Sequence, residues 1–320
     1  MMKKDIKDTE RKNIIPRACA VHDLSGFGKV SLTEVIPIMS AMGIEVCPLP
    51  TAVLSTHTYE FTDYTFCDLT DQMQAVIDHW YNLGIKFDAV YSGYMGSPRQ
   101  LDILKDFMIK SKEDGALIVV DPVMGDNNLV KEDFYSEKVN GMLAGMQDLC
   151  SIADIITPNV TEACLLIGET YPDGPVNNAK IKSYLKRLAE LGAKDVVITS
   201  VMDSENSMCV AVYDSENDKY YKVDCGFVNR PFHGTGDVYT SVLTGALLKG
   251  SDITEAANIA AGFVYKAIQE TIKHPEIKVR EGVLFEPVLS TYFSRVDYDK
   301  RYVRYNFKYC GVIIKRRCGF

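Results

Sequence analysis

Short, uninterrupted apolar runs alternate with helix-period segments along most of this 320-residue chain, and that alternation restricts its fold more than any other feature. Ala18–His22, Val46–Leu54, Ala89–Ser92, Ala116–Val120, Ile152–Thr157 and Asp195–Thr199 read as strands. Helical patterns lie between them at about 30–42, 68–83, 99–112, 160–167 and 178–192, and two more follow at about 236–249 and 253–272. The clearest is Asp68–Leu83, where Leu69, Met73, Val76, Ile77, Trp80 and Leu83 recur at helical spacing. Met208–Tyr213 and Tyr220–Asp224 flank a polar turn and predict a hairpin. Pro48 and Pro50 predict that the second strand is an edge or irregular piece. Apolar strands separated by helices need cover on both faces, so the expected class is α/β with a mainly parallel sheet between helix layers. In such sheets ligands bind beyond the carboxyl ends of the strands, which makes the residues just after each strand the candidate functional positions.

Charge and composition narrow the function classes. The chain has 35 Lys+Arg against 43 Asp+Glu, a net −8. Residues 291–320 carry eight Lys and Arg against two Asp, so this tail is +6 and the remainder −14. A mildly acidic body does not suit phosphate-backbone binding, and a nucleic-acid partner is not expected. No run approaches the roughly 18–20 apolar residues of a membrane span. The opening MMKKDIKDTERKNIIPR mixes charges and lacks an apolar core, so it does not read as a secretory signal. The nine cysteines show no C-x-x-C spacing, which fits a reducing, cytoplasmic setting with buried thiols rather than zinc or disulfides. The expected organisation is a loose N-terminal arm over 1–17, one domain over 18–287, and a basic, aromatic extension over 288–320. Within that extension Val303, Tyr305, Phe307 and Tyr309 alternate with polar residues as in an edge strand.

Four motifs sit at strand ends. Gly234-Thr235-Gly236-Asp237 opens a helix. Its glycines permit a tight turn whose N–H groups, aided by the helix dipole, suit a transferring phosphoryl group. Asp237, inside the first turn, is placed to take a proton from an attacking hydroxyl. Taken alone, these four residues also fit a plain capping turn. Asp121-Pro122-Val123-Met124-Gly125-Asp126 follows a buried strand, and its two carboxylates suit Mg²⁺ or simply solvate the strand end. Thr157-Pro158-Asn159-Val160-Thr161-Glu162 offers hydrogen bonds to phosphate and a further carboxylate, and equally a capping box of Asn159 with Glu162. His22-Asp23-Leu24-Ser25-Gly26-Phe27-Gly28 is neither a dinucleotide fingerprint, since Ser31 holds the last glycine position, nor a P-loop. Asp23 and Ser25 remain candidate contacts to a polar ring.

The ordered set HDLSGFGKVS, TAVLSTHT, SGYMG, DPVMGD, ITPNVTEA, VVITS and FHGTGD resembles the ribokinase-like superfamily, in particular the pyridoxal/pyridoxamine kinases and the related hydroxymethylpyrimidine kinases. The similarity runs from about Arg17 to Glu286. It implies a three-layer α/β/α fold without a separate lid domain, usually homodimeric. It also implies ATP and Mg²⁺ as cofactors, a B6 vitamer as substrate, and a monovalent cation such as K⁺ as a further candidate. Carried over by position, Asp237 is the base on the 5′-hydroxymethyl group, and Gly234, Thr235 and Gly236 form the anion hole. Asp121, Asp126 and Glu162 organise Mg²⁺ and its waters, with Thr157, Asn159, Thr199 and Ser200 near the ATP phosphates. Asp23, Ser25, Val53, His57, Thr58 and Tyr94 line the substrate pocket. After Asp126 the chain departs from some B6 kinases, with a shorter loop that lacks their tyrosine over the nucleotide.

Three readings compete: a B6-vitamer kinase, a hydroxymethylpyrimidine kinase, and a catalytically silent B6-binding protein. Some pyrimidine kinases carry Cys where Asp237 stands, which favours the first over the second. The intact glycines and Asp237 argue against the third.

Overall fold

The computed structural model of the chain describes residues 15–124, 137–292 and 317–318. Asp126, the 1–14 arm and the Val303–Tyr309 segment lie outside the described residues.

Ten strands form one sheet in the order β10-β9-β8-β7-β6-β5-β4-β1-β2-β3. They are β1 (Arg17–Ser25), β2 (Glu45–Leu54), β3 (Phe66–Asp68), β4 (Ala89–Ser92), β5 (Leu117–Val120), β6 (Ile155–Ile156), β7 (Asp195–Ser204), β8 (Ser207–Asp214), β9 (Lys219–Cys225) and β10 (Arg317–Cys318). The central run β2-β1-β4-β5-β6-β7 is parallel, and β3, β8, β9 and β10 add antiparallel pairings at the two sides. The helices are α1 (Leu32–Ala41), α2 (Thr70–Asn82), α3 (Pro98–Glu113), α4 (Glu137–Ile152), α5 (Val160–Ile167), α6 (Asn178–Ala189), α7 (Thr235–Leu248), α8 (Ile253–Thr271) and α9 (Glu286–Tyr292).

Strand alternation divides the interior into two cores, as a sheet covered on both faces requires. On β1, Cys19 and Val21 join a core with Met73, Leu104, Leu149 and Leu185, from α2, α3, α4 and α6. Ala18 and Ala20 face the other way, into a core with Val35, Val242 and Phe263 from α1, α7 and α8. His22 continues that second face, toward α7, and is fully buried.

Several expectations need correction. β2 is irregular, as its prolines predicted, with a register shift against β1 just after Pro50, but it is not the edge, because β3 pairs outside it at Ala52, Val53 and Leu54. Pro48 and Pro50 thus fall in the half of β2 where no outer ladder bond is lost. The strand expected at 152–157 shrinks to Ile155–Ile156, because Ile152 ends α4, a helix the apolar pattern did not reveal. The helix expected to run to 192 stops at Ala189, and the first β7 residues lengthen into a long hairpin with β8. The body extends past 287: α9 packs on α8, with Tyr292 edge-on to Phe263 at 5.1 Å and its hydroxyl donating to the Ile259 carbonyl at 3.0 Å. At the other end Arg17 belongs to β1, its N–H donating to Asp88 Oδ2 at 2.8 Å.

Candidate active site

The carboxyl ends of the parallel strands gather the candidate residues. β1 delivers His22, Asp23 and Ser25; the turn after β4 delivers Gly93 and Tyr94; β5 ends at Asp121; β6 leads to Thr157 and Asn159; and β7 carries Thr199 and Ser200. Gly234 caps α7 in the left-handed region, at φ 81°, and Asp237 stands in the helix's first turn. A Cβ on Gly234 would lie 2.7 Å from both Glu34 Oε1 and the Lys29 carbonyl, so backbone conformation and space both call for glycine there. A Cβ on Gly236 would sit 3.9 Å from Asp121 Oδ2, which brings the Gly-Thr-Gly-Asp turn over the end of β5. Thr235 turns its hydroxyl back to the Phe232 carbonyl at 3.3 Å.

Ser31 ties the two ends of the site together. Its N–H donates to Asp237 Oδ2 at 2.8 Å, and its hydroxyl donates to Asp23 Oδ1 at 2.6 Å. Ser25 donates to the other oxygen of Asp23 at 2.7 Å. Ser31 adopts φ 53°, a conformation costly for a residue with a Cβ, and these two bonds hold it there. Its one sequence signal is that Ser31 fills the position at which a glycine fingerprint fails. Tyr94 lies close to Asp23, and burial foremost, then that carboxylate, raises its hydroxyl above the ordinary tyrosine range.

In the loop after β2, His57 is held at both nitrogens. Nε2 donates to the Arg280 carbonyl at 2.7 Å, and Nδ1 accepts from the Tyr59 N–H at 3.1 Å. Its ring lies 4.5 Å from that of His233, which stacks on Tyr59 at 4.7 Å. Burial lowers both imidazoles, His233 to about 4 with His57 adding to the effect, so this aromatic group stays neutral at pH 7. Thr58, next to His57 in sequence, and Val53 on β2 are exposed.

At the ends of β5 and β6, Asp121 is buried and accepts from the Thr240 hydroxyl at 3.4 Å; that hydroxyl also lies 3.0 Å from Thr157 Oγ1. Glu162 and Asn159 form the capping box: Asn159 N–H donates to Glu162 Oε2, and Glu162 N–H to Asn159 Oδ1, each at 2.9 Å. Glu162 Oε1 also accepts from the Met124 N–H at 3.2 Å, which fastens the turn after Asp121 to α5. Thr199 bridges to Asn159, and Ser200 takes φ 56°. Among the described residues no three carboxylate, imidazole or thiol groups converge as a complete metal cage.

Glu34, absent from the sequence-based candidates, is buried against the Gly234 turn with neither oxygen hydrogen-bonded. Burial first, then the charge of Asp237, holds its carboxyl well above the ordinary glutamate range. The folded protein therefore keeps a proton that the unfolded chain releases, and stability falls as pH rises from about 4.5. Glu34→Gln is expected to stabilise the fold by about 1–3 kcal/mol at pH 7–8, with the gain closing toward pH 4. Urea denaturation at the two pH values checks this; equal stability of the two proteins at both would contradict it.

A cavity of about 330 Å³ lies at the opposite ends of the strands, among Leu117, Asp154, Asp195 and Asp252. Its carboxylates are committed to the scaffold: Asp154 accepts from Ile118 N–H, Asp195 from Ser215 N–H, and Asp252 caps α8 at Glu255 N–H.

The chain is similar to known proteins in sequence and in fold. A family model described as phosphomethylpyrimidine kinase matches residues 36–280. The fold superimposes with TM-score 0.78 on a Bacteroides thetaiotaomicron protein described as a phosphomethylpyrimidine kinase and crystallised with pyridoxal. The two are 42% identical, with 87% of this chain and 96% of that one covered. Pyridoxal kinase from Lactobacillus plantarum gives TM-score 0.76 at 29% identity, covering 87% and 97%. Pyridoxal kinase of Dictyostelium discoideum is 27% identical over 274 residues, 80% of this chain and 86% of that protein.

Proposed function

The chain belongs to the phosphomethylpyrimidine kinase family, and we propose that it transfers the γ-phosphoryl group of ATP to the 5′-hydroxymethyl arm of a B6 vitamer. One observation carries the reading: Ser31 joins Asp237, the proposed acceptor of the hydroxyl proton, to Asp23, a buried carboxylate and the proposed contact to a polar ring. A pyridine with a hydroxymethyl arm presents polar ring substituents at one end and the acceptor oxygen at the other. Similarity to a protein crystallised with pyridoxal and to pyridoxal kinases supports the same substrate class.

In the proposed reaction the acceptor hydroxyl oxygen bonds to the γ-phosphorus while the bond to the β-phosphate oxygen breaks. The hydroxyl proton passes to Asp237 and ADP leaves. The α7 N-terminus, shaped by Gly234 and Gly236, meets the charge on the transferring group. Positioning and charge neutralisation are most of what phosphoryl transfer requires.

Asp23, Asp121, Glu162 and Asp237 make the strand ends strongly acidic, so polyphosphate binding there calls for a cation. Mg²⁺ retains several waters and needs only one or two carboxylates beside the phosphates, which Asp121 fits, with Glu162 reached through water. When bound, Mg²⁺ neutralises phosphate charge. Asp121→Ala is expected to raise the magnesium concentration needed for half-maximal turnover by roughly tenfold or more, the loss of one charged contact. A magnesium titration of variant and parent reads this directly, and superimposable curves would remove Asp121 from the metal site. The reaction itself is tested by mass spectrometry of pyridoxal incubated with protein and Mg·ATP. Conversion to the phosphate ester supports the reading, and unmodified pyridoxal alongside intact ATP refutes it.

A further inference from the structure

His22 is fully buried, carries no hydrogen bond at either ring nitrogen, and presents Nδ1 to Asp237 Oδ1 at 3.7 Å. Its ring is fixed edge-on against Tyr91 at 4.4 Å. The neighbouring strand end leaves it just enough room, since a Cβ on Gly93 would lie 2.3 Å from Nδ1 and 3.5 Å from Asp237 Oδ1. Leaving two buried ring nitrogens without a hydrogen bond is costly. The carboxylate that Nδ1 faces is that of the proposed base.

We propose that His22 is a positioning residue for Asp237, holding the carboxylate toward the acceptor hydroxyl through an Nδ1–H directed at Oδ1. The inference rests on the kinase reading given above. Burial pushes the imidazole down to about 3, so it stays neutral and acts as a fixed dipole rather than as a proton acceptor. At 3.7 Å the contact is longer than a hydrogen bond, as resting-state catalytic contacts often are, and a shift of under 1 Å closes it. With Ser31 N–H on Oδ2 and His22 on Oδ1, the carboxylate is gripped from two elements, α1's entry and β1. The other ionisable groups facing this point are Glu34 from α1, neutral in its buried setting, Lys29 before α1, Tyr91 on β4, and Asp121 beyond β5. β1 also carries Asp23, joined to Asp237 through Ser31, and that link stays in place when His22 is replaced.

Two amide variants separate donor position from packing. The amide of His22→Asn overlies Nδ1, whereas that of His22→Gln reaches the place of Nε2. His22→Asn is expected within a few-fold of the parent. His22→Gln is expected to lose roughly 10- to 100-fold in kcat, the kinetic equivalent of one hydrogen bond to a charged group, with KM for ATP unchanged. The acid limb of its kcat–pH profile should move to higher pH, because the neighbouring dipole no longer favours the ionised carboxylate. Gly93→Ala, which displaces the imidazole without deleting it, should show the same loss and the same shift. Equal behaviour of the two amide variants, or an unmoved acid limb in both His22→Gln and Gly93→Ala, overturns the proposal. Asp237→Asn distinguishes the failures. If it is inactive while His22→Gln matches the parent, only the His22 role falls; if it turns over normally, the base assignment falls and His22 with it.

Discussion

Asp237→Asn is expected to lower kcat by roughly 10²–10⁴, the usual range for loss of a general base, while nucleotide and vitamer still bind. Asparagine keeps the shape of the side chain and can still accept from the Ser31 N–H that holds Oδ2 at 2.8 Å, so the turn it belongs to should persist. What it loses is the capacity to take the acceptor's proton as the oxygen–phosphorus bond forms. Single-turnover kinetics with pyridoxal, set beside ATP affinity from equilibrium binding, separate the two effects. Near-parent turnover would remove Asp237 from the chemistry. A parallel collapse of ATP affinity would make it a structural residue instead.

Gly234→Ala should be nearly as damaging, by a different route. The residue sits at φ 81°, and an added methyl would meet the Lys29 carbonyl and Glu34 Oε1, both at 2.7 Å. A backbone carbonyl cannot swing aside, so the turn must open and its N–H groups leave the positions proposed to face the transferring phosphoryl. Loss of such donors costs about 10²–10³ in kcat. Gly250→Ala is the control: it shares a positive φ, 90°, but an added Cβ there meets nothing within 4 Å. It should therefore lose only about 1 kcal/mol of stability from backbone strain, with kcat unaltered. Equal kcat losses in the two variants would show that strain, and not the anion turn, sets the effect.

Much of this site was legible because its residues stand where strands end. Asp23, Asp121, Thr157 and Thr199 each follow an apolar run, and the alternation that defines the sheet also assigns them to one side of it. The capping box of Asn159 with Glu162 could be read from three-residue spacing alone. What stayed hidden depends on contacts distant in sequence. Ser31 reaches Asp237 across 206 residues, and Thr240 reaches Asp121 across 119. Glu34 reads as an ordinary polar position in an amphipathic helix until α7 is packed over it. His22 reads as part of a strand-end motif, with nothing local to show that it faces Asp237. His57, expected as a wall of the pocket, commits both nitrogens to backbone groups of Arg280 and Tyr59, a function that only the closure of two distant loops reveals. The missed α4 has a different cause: its sequence, EKVNGMLAGMQDLCSI, places two glycines within the pattern and weakens the helical signal.

The most direct test of the account is phosphoryl transfer from Mg·ATP, measured as kcat/KM for pyridoxal, pyridoxamine, pyridoxine and hydroxymethylpyrimidine in parallel. The arrangement of Asp23, Ser31 and Asp237 predicts efficient turnover of at least one B6 vitamer, well above that of the pyrimidine. Turnover confined to hydroxymethylpyrimidine would contradict the B6 assignment while leaving the phosphoryl-transfer geometry standing. No turnover of any of the four by folded, ATP-binding protein would contradict the catalytic reading itself.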